Sequence, residues 1–233
     1  MNELENKINS ERKESIQRAN ELIAQGVYLR DPMRFDIRGS LECGINVEID
    51  INVIIEGDVK LGDGVKIGPN CILKDSTIDS DTKIQANSMV ESANIGKSCL
   101  IGPYARVRAG TELGNRVQIG NYVEVKEVTM GSGCKVNHLS YIGDAILEKG
   151  VIIGAGTITC NFDGIKRNDT YIEKGAFVGS GCQLVAPVRV GEKSMVGAGS
   201  TITKDVPAFE LTLARSHQNV IKGKRPPILS EED

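Results

Sequence analysis

From Ile95 to Val125 an aliphatic residue recurs at every sixth position, as Ile95, Ile101, Val107, Leu113, Ile119 and Val125, often with glycine next in line. A period of six belongs neither to a helix, which repeats near 3.6, nor to an ordinary strand, which repeats at 2. It is the signature of a parallel β-helix, in which each hexapeptide is one short strand plus a turn and the aliphatic side chain points into a prism. The chain is expected to be an all-β solenoid.

The register extends in both directions. Ile49, Ile55, Leu61, Ile67 and Leu73 keep it; a one-residue slip leads to Ile78, Ile84 and Val90, and another leads into the perfect run. A third slip brings Met130, Val136 and Ile142, and the pattern returns at Val178, Leu184, Val190, Val196 and Ile202. Aromatic residues make up only 4%, tryptophan is absent and there are 26 glycines, which suits a narrow prism of Val, Ile and Leu with tight corners better than a bulky globular core.

Three segments follow. Residues 1–44 hold an N-terminal helix, with Leu4, Ile8, Ile16, Ala19, Leu22 and Ile23 at helical spacing, Asn2 and Glu5 as a capping box and Gly26 as its stop, then a lead-in segment. Residues 45–207 are the β-helix, from which 156–175, rich in Asn, Asp and Gly, is expected to leave as an extruded loop. Residues 208–233 form a tail with Lys222, Lys224 and Arg225 beside Pro226-Pro227.

A net charge of −3 provides no global attraction to nucleic acid or an anionic membrane. No apolar run reaches membrane-spanning length, and no leader is read at Met1. The six cysteines, Cys43, Cys71, Cys99, Cys134, Cys160 and Cys182, include no C-x-x-C pair, so a reducing, cytoplasmic setting is expected.

If three hexads make one coil, residues 18 apart stack at roughly 4.8 Å. Arg108 and Lys126 then project outward one above the other. Two stacked cations read either as a phosphate site or as a solvated basic face. Arg106 and Glu124, also 18 apart, read as a structural ion-pair ladder. His138, in NHLSYIGDA with Tyr141 three residues on, reads either as a structural histidine or as a general base. It falls on a different face from Lys126, which favours sites between subunits of a cyclic oligomer. With only His138 and His217 present, a three-histidine zinc site cannot be built, and no metal is implied. The Gly154–Gly156 and Gly179–Gly181 tripeptides read as tight corners and fit no nucleotide-loop pattern.

YLRDPMRFDIRG (28–39), VEIDINVIIEG (47–57), IGPYARVRAG (101–110), GNYVEVK (120–126), NHLSYIGDA (137–145), IGAGTITCNFDG (153–164) and FVGSGCQLVAPV (177–188) closely resemble the C-terminal half of a bifunctional family. That family joins N-acetylglucosamine-1-phosphate uridyltransferase to glucosamine-1-phosphate N-acetyltransferase. The resemblance implies a left-handed parallel β-helix, a homotrimer, and acetyl transfer from acetyl-CoA to the amine of glucosamine 1-phosphate. Carried over, His138 matches the general base, Arg108, Lys126 and Tyr141 match the sugar-phosphate site, and Glu124 matches a glutamate near the base. Ala155, Asn161, Ser180, Ala198 and Arg215 match acetyl-CoA contacts, and backbone N–H groups near Ala155 and Gly156 are expected to hold the oxyanion. Three positions depart: Ile152 stands for a sugar-binding Asn, Phe162 for a Tyr beside the CoA, and Arg167 for a Lys. The uridyltransferase half is not expected in this chain. Two other readings stay open, an acyltransferase for a different amino-sugar acceptor and a non-catalytic trimeric scaffold for a separate uridyltransferase.

Overall fold

The computed structural model describes residues 3–223. Asn2 of the capping box and Lys224, Arg225, Pro226 and Pro227 of the tail lie outside the described residues. The chain winds as a left-handed parallel β-helix of triangular section. The first wall is an 11-stranded sheet from Tyr28–Leu29 to Leu211–Thr212. The second and third walls count as one 15-stranded sheet, because strands such as Val53–Leu61, Glu124–Met130 and Tyr141–Leu147 run on around the corner between them.

The aliphatic register fills the prism. Every inward position named above, from Ile49 to Ile202, is buried. Register pairs such as Ile101 with Ile119 and Ile119 with Val136 stack like side chains coil upon coil. Each such side chain withdrawn from water contributes about 1.5–3 kcal/mol, so the core is a column of equal layers rather than one centre.

All three slips occur at one corner, between the second and third walls. Five-residue steps turn there at Asp75, Ser92 and Glu127, each with φ between 45° and 50°. The six-residue steps turn at Gly57 (φ 61°) and Gly110 (φ 75°). Vertical neighbours are therefore 17 or 18 residues apart according to the corner crossed, as for Asn121 with His138 and Arg106 with Glu124.

The segment boundaries need correction. Ile158–Cys160 and Thr170–Ile172 are strands of the second and third walls, so the excursion is 161–169 and not 156–175. It leaves from the same permissive corner. The lead-in is already solenoid, since Tyr28–Leu29 pairs with Glu48–Ile49 and Phe35–Cys43 pairs with Val53–Leu61. The sheet also continues past 207, because Leu211–Thr212 pairs with Met195–Val196.

The N-terminal helix spans Glu3–Ala24 and stops at Gly26, whose φ of 96° suits glycine. Only its second half docks: Ala19 and Leu22 are buried and Arg18 donates to the Gly39 carbonyl at 3.1 Å, while Leu4 and Ile8 stay exposed. No helix among the described residues is long and apolar enough to cross a membrane.

Candidate functional site

The corner between the first and second walls changes character along its height. Asn52, Asn70 and Asn87 form an amide ladder there, with Nδ2 to Oδ1 distances of 3.0 and 3.2 Å. Tyr104 and Tyr122 follow, their rings stacked with centroids 5.3 Å apart, and then Leu139, all three exposed. Above Leu139 the large residues stop. Gly154-Ala155-Gly156, Gly179-Ser180-Gly181 and Gly197-Ala198-Gly199 occupy three successive coils. Gly156 donates to the carbonyl of His138, Gly181 to that of Ala155 and Gly199 to that of Ser180, at 3.2, 2.8 and 2.8 Å.

His138, Ala155, Ser180 and Ala198 thus lie in one axial line. Three glycine-flanked tripeptides leave a strip almost free of side chains, three coils tall, roughly 14 Å at the ~4.8 Å strand spacing. His138 stands at its foot, and Arg215 closes its top by donating from Nη1 to the Ala198 carbonyl at 2.9 Å. Along one side runs an exposed apolar ladder of Ile152, Phe177, Met195 and Leu211, paired in register. The tripeptides are tight corners, as their sequence suggests. Their stacking into a strip was not visible, because the excursion makes the spacing 25 residues in one step and 18 in the next.

His138 ends the strand Lys135–His138 and is exposed. Its Nδ1 lies 2.6 Å from Oδ1 of Asn121, one coil below. With the amide oxygen facing the ring, Nδ1 is the donor in this contact, and in the neutral imidazole that arrangement leaves the Nε2 lone pair open, the form a general base requires. Asn121 was missed at the sequence level; its place 17 residues before His138 is the signal that finds it.

Arg108 and Lys126 occupy neighbouring coils at the far edge of the second wall, flanking the paired Val107 and Val125. Glu124 pairs in register with Arg106, as expected, with Arg106 Nη1 3.8 Å from its Oε2, and it also takes a closer partner, Arg108 Nη1 at 2.6 Å from its Oε1. The carboxylate reaches diagonally because both arginines project outward on either side of inward Val107. Lys126 has no carboxylate within ion-pair distance among the described residues, so this edge keeps an uncompensated cation.

Tyr141 pairs in register with Glu124 on the same wall. Asn161, at the root of the excursion, donates from Nδ2 to Asp144 and lies 3.5 Å from the Tyr141 hydroxyl. Phe162 and Arg167 face each other as an antiparallel bridge, and Arg167 Nη1 is 4.0 Å from Asp144. Asp163 orders the turn: the Lys166 N–H, the Asn168 amide and the Ile165 N–H hold its carboxyl down to about 2. Ile152 lies on the first wall and does not join Tyr141 within one chain.

The structure narrows the oxyanion expectation, since the Gly156 N–H is spent on the His138 carbonyl. The Ala155 N–H has no acceptor among the described residues. Pro69 and Pro103 hold the equivalent place on lower coils, so the ladder does not need an N–H there.

Two family models match parts of the chain: the GMPPB C-terminal domain at residues 37–130 and the bacterial transferase hexapeptide (six repeats) at residues 169–204. Proteins named "Bifunctional protein GlmU" match nearly all of it. That of Nitrosospira multiformis is 55% identical over 210 residues, 90% of this chain and 46% of that protein. That of Methylococcus capsulatus is 52% identical over 218 residues, 93% of this chain and 47% of that protein. The chain therefore spans about half the length of the curated relatives it matches. A solved UDP-N-acetylglucosamine acyltransferase from Campylobacter jejuni aligns at a TM-score of 0.42 and 16% identity, covering 78% of this chain and 70% of that one, too distant to bear on function.

Proposed function

This chain is related along nine-tenths of its length to the C-terminal half of the bifunctional GlmU proteins, and on that premise we propose that it is an acetyl-CoA-dependent N-acetyltransferase. Its acceptor is the amine of glucosamine 1-phosphate and its product N-acetylglucosamine 1-phosphate, a step toward UDP-N-acetylglucosamine. The observation that carries this reading is the bare strip rising from His138 to Arg215. An extended pantetheine arm fits a surface without side chains, with the thioester end at the histidine and the anionic end at the arginine.

In this mechanism the acceptor reacts as the free amine, an arriving ammonium having first lost one proton to solvent; its nitrogen attacks the thioester carbonyl as His138 Nε2 takes a proton from it. The new C–N bond forms, the Ala155 N–H faces the developing oxyanion, and collapse breaks the C–S bond. The proton returns through His138 to the departing CoA thiolate. Arg108 and Lys126 hold the sugar phosphate and Tyr141 lines the sugar pocket. Ala155, Ser180, Ala198 and Arg215 follow the CoA, joined by Asn161 and Phe162 at the excursion.

His138 stands at the corner between the first and second walls and Arg108 and Lys126 at the far edge of the second, and no contact joins them within one chain among the described residues. A homotrimer, in which a neighbouring prism closes the gap, supplies the rest of the site, and the exposed Tyr104, Tyr122 and Leu139 stack provides an apolar surface for it. The free cysteines are consistent with a cytoplasmic setting.

Ile152 favours a second reading, acyl transfer to a different amino sugar, because an exposed isoleucine replaces an amide that would hydrogen-bond the sugar. Thiol release from acetyl-CoA with a panel of amino sugars decides. Release with glucosamine 1-phosphate supports the first reading, and release with another acceptor only supports the second. No release with any acceptor leaves a scaffold for a separate uridyltransferase.

A further inference from the structure

Asp144 turns the permissive corner one coil below the point where the excursion leaves, at φ 46°. Its side chain is only 10% exposed. Lower on the same corner, acidic side chains turn toward the preceding coil: a Cβ on Gly57 would strike the carboxylate of Asp75, and one on Gly110 would strike that of Glu127. Beneath Asp144 stands Glu127 instead of a glycine. Asp144 instead engages the coil above, accepting from Asn161 Nδ2 through one oxygen, with Arg167 Nη1 4.0 Å from the other. Those two partners are the root and the returning limb of the excursion 161–169.

We propose that Asp144 is a positioning residue that latches the excursion to the second wall and fixes the orientation of the Asn161 amide. An amide has one donor end and one acceptor end. With Nδ2 committed to Asp144 and close to Tyr141, Asn161 Oδ1 is left uncommitted among the described residues. Asn161 therefore offers an acceptor to a ligand N–H. Arg167, 4.0 Å away without a hydrogen bond, is a looser neighbour of the same carboxylate, so Asn161 is the group through which Asp144 acts. The latch is independent of which acyl acceptor is used; its effect on turnover rests on the acetyltransferase reading.

Two measurements on the full chain test it. Trypsin cleavage after Lys166 and Arg167, followed by mass spectrometry, reads the latch without reference to activity. Asp144→Ala is expected to speed cleavage at these bonds at least 5-fold, and an unchanged rate overturns the latch. Thiol-release kinetics on Asp144→Ala, Asn161→Ala and the double variant read the positioning role. If Asp144 acts through Asn161, kcat/KM of the double variant stays within 2-fold of Asn161→Ala. Asp144→Asn, which keeps an acceptor oxygen for Asn161, recovers most of the loss and covers the case in which the alanine variant does not fold. Losses that multiply, or Asp144→Asn as poor as Asp144→Ala, overturn the positioning role. A wild-type chain without acetyl transfer removes the functional reading and leaves the cleavage result to decide the latch.

Discussion

The backbone N–H of Gly156 is bonded to the carbonyl of His138 at 3.2 Å, which places the lowest glycine-flanked tripeptide directly above the candidate base. The strip and the histidine are consecutive layers of one corner, so anything lying along the strip ends at the imidazole.

Filling the strip is expected to obstruct it without disturbing the core. Ala198 and Ser180 are exposed, so Ala198→Leu or Ser180→Trp places bulk outward. Steady-state kinetics of either variant are expected to show KM for acetyl-CoA raised at least 10-fold, with Tm unchanged. An unaffected KM means that the co-substrate takes another path.

Arg108 is already paired with Glu124 at 2.6 Å, so a phosphate arriving there shares the guanidinium with a carboxylate, while Lys126 meets it uncompensated. Charge-assisted hydrogen bonds of this kind contribute about 1.5–3 kcal/mol. Arg108→Ala and Lys126→Ala are each expected to raise KM for the phosphorylated acceptor by about 10- to 150-fold while KM for acetyl-CoA holds. Unchanged acceptor KM in both identifies a merely solvated basic edge.

Inward and outward isoleucines are expected to differ sharply in stability measurements. Ile119 has no exposure and is paired with Ile101 and Val136, so Ile119→Ala costs about 2–5 kcal/mol in denaturant unfolding. Ile152 is 40% exposed, and Ile152→Ala stays within about 0.5 kcal/mol. Equal losses contradict the assignment of faces.

The turn held by Asp163 is expected to depend on pH. Its carboxyl is held at about 2, below the ordinary 3.8, by the Lys166 N–H, the Asn168 amide and the Ile165 N–H. A depressed folded value means that the stabilisation is complete above the ordinary value and is lost as pH falls through about 2. Loop resonances followed by NMR are expected to change between about pH 4 and pH 2, and Asp163→Asn is expected to show the loosened turn already at neutral pH. A loop indifferent to both has another anchor.

Much of this was legible because burial in a prism leaves a period in the sequence. Ile119 and Val125 had to point inward, and they do. The excursion is narrower than its Asn, Asp and Gly content suggests, because Ile158-Thr159 and Tyr171-Ile172 keep the alternation and pair as strands. Spacing names Arg106 as the partner of Glu124, and the two do pair; the closer approach of Arg108 is not legible, because spacing fixes which backbones are neighbours and says nothing about where a long side chain leans. The His138 to Asn121 contact crosses a five-residue corner, so it falls at 17 rather than the 18 assumed.

The most direct test of the account is a crystal structure of the chain with CoA bound. The account predicts a pantetheine arm running over Ala155, Ser180 and Ala198, its sulfur beside His138 Nε2 and its phosphates toward Arg215. CoA bound elsewhere, or lying on the strip with its sulfur turned away from His138, contradicts it.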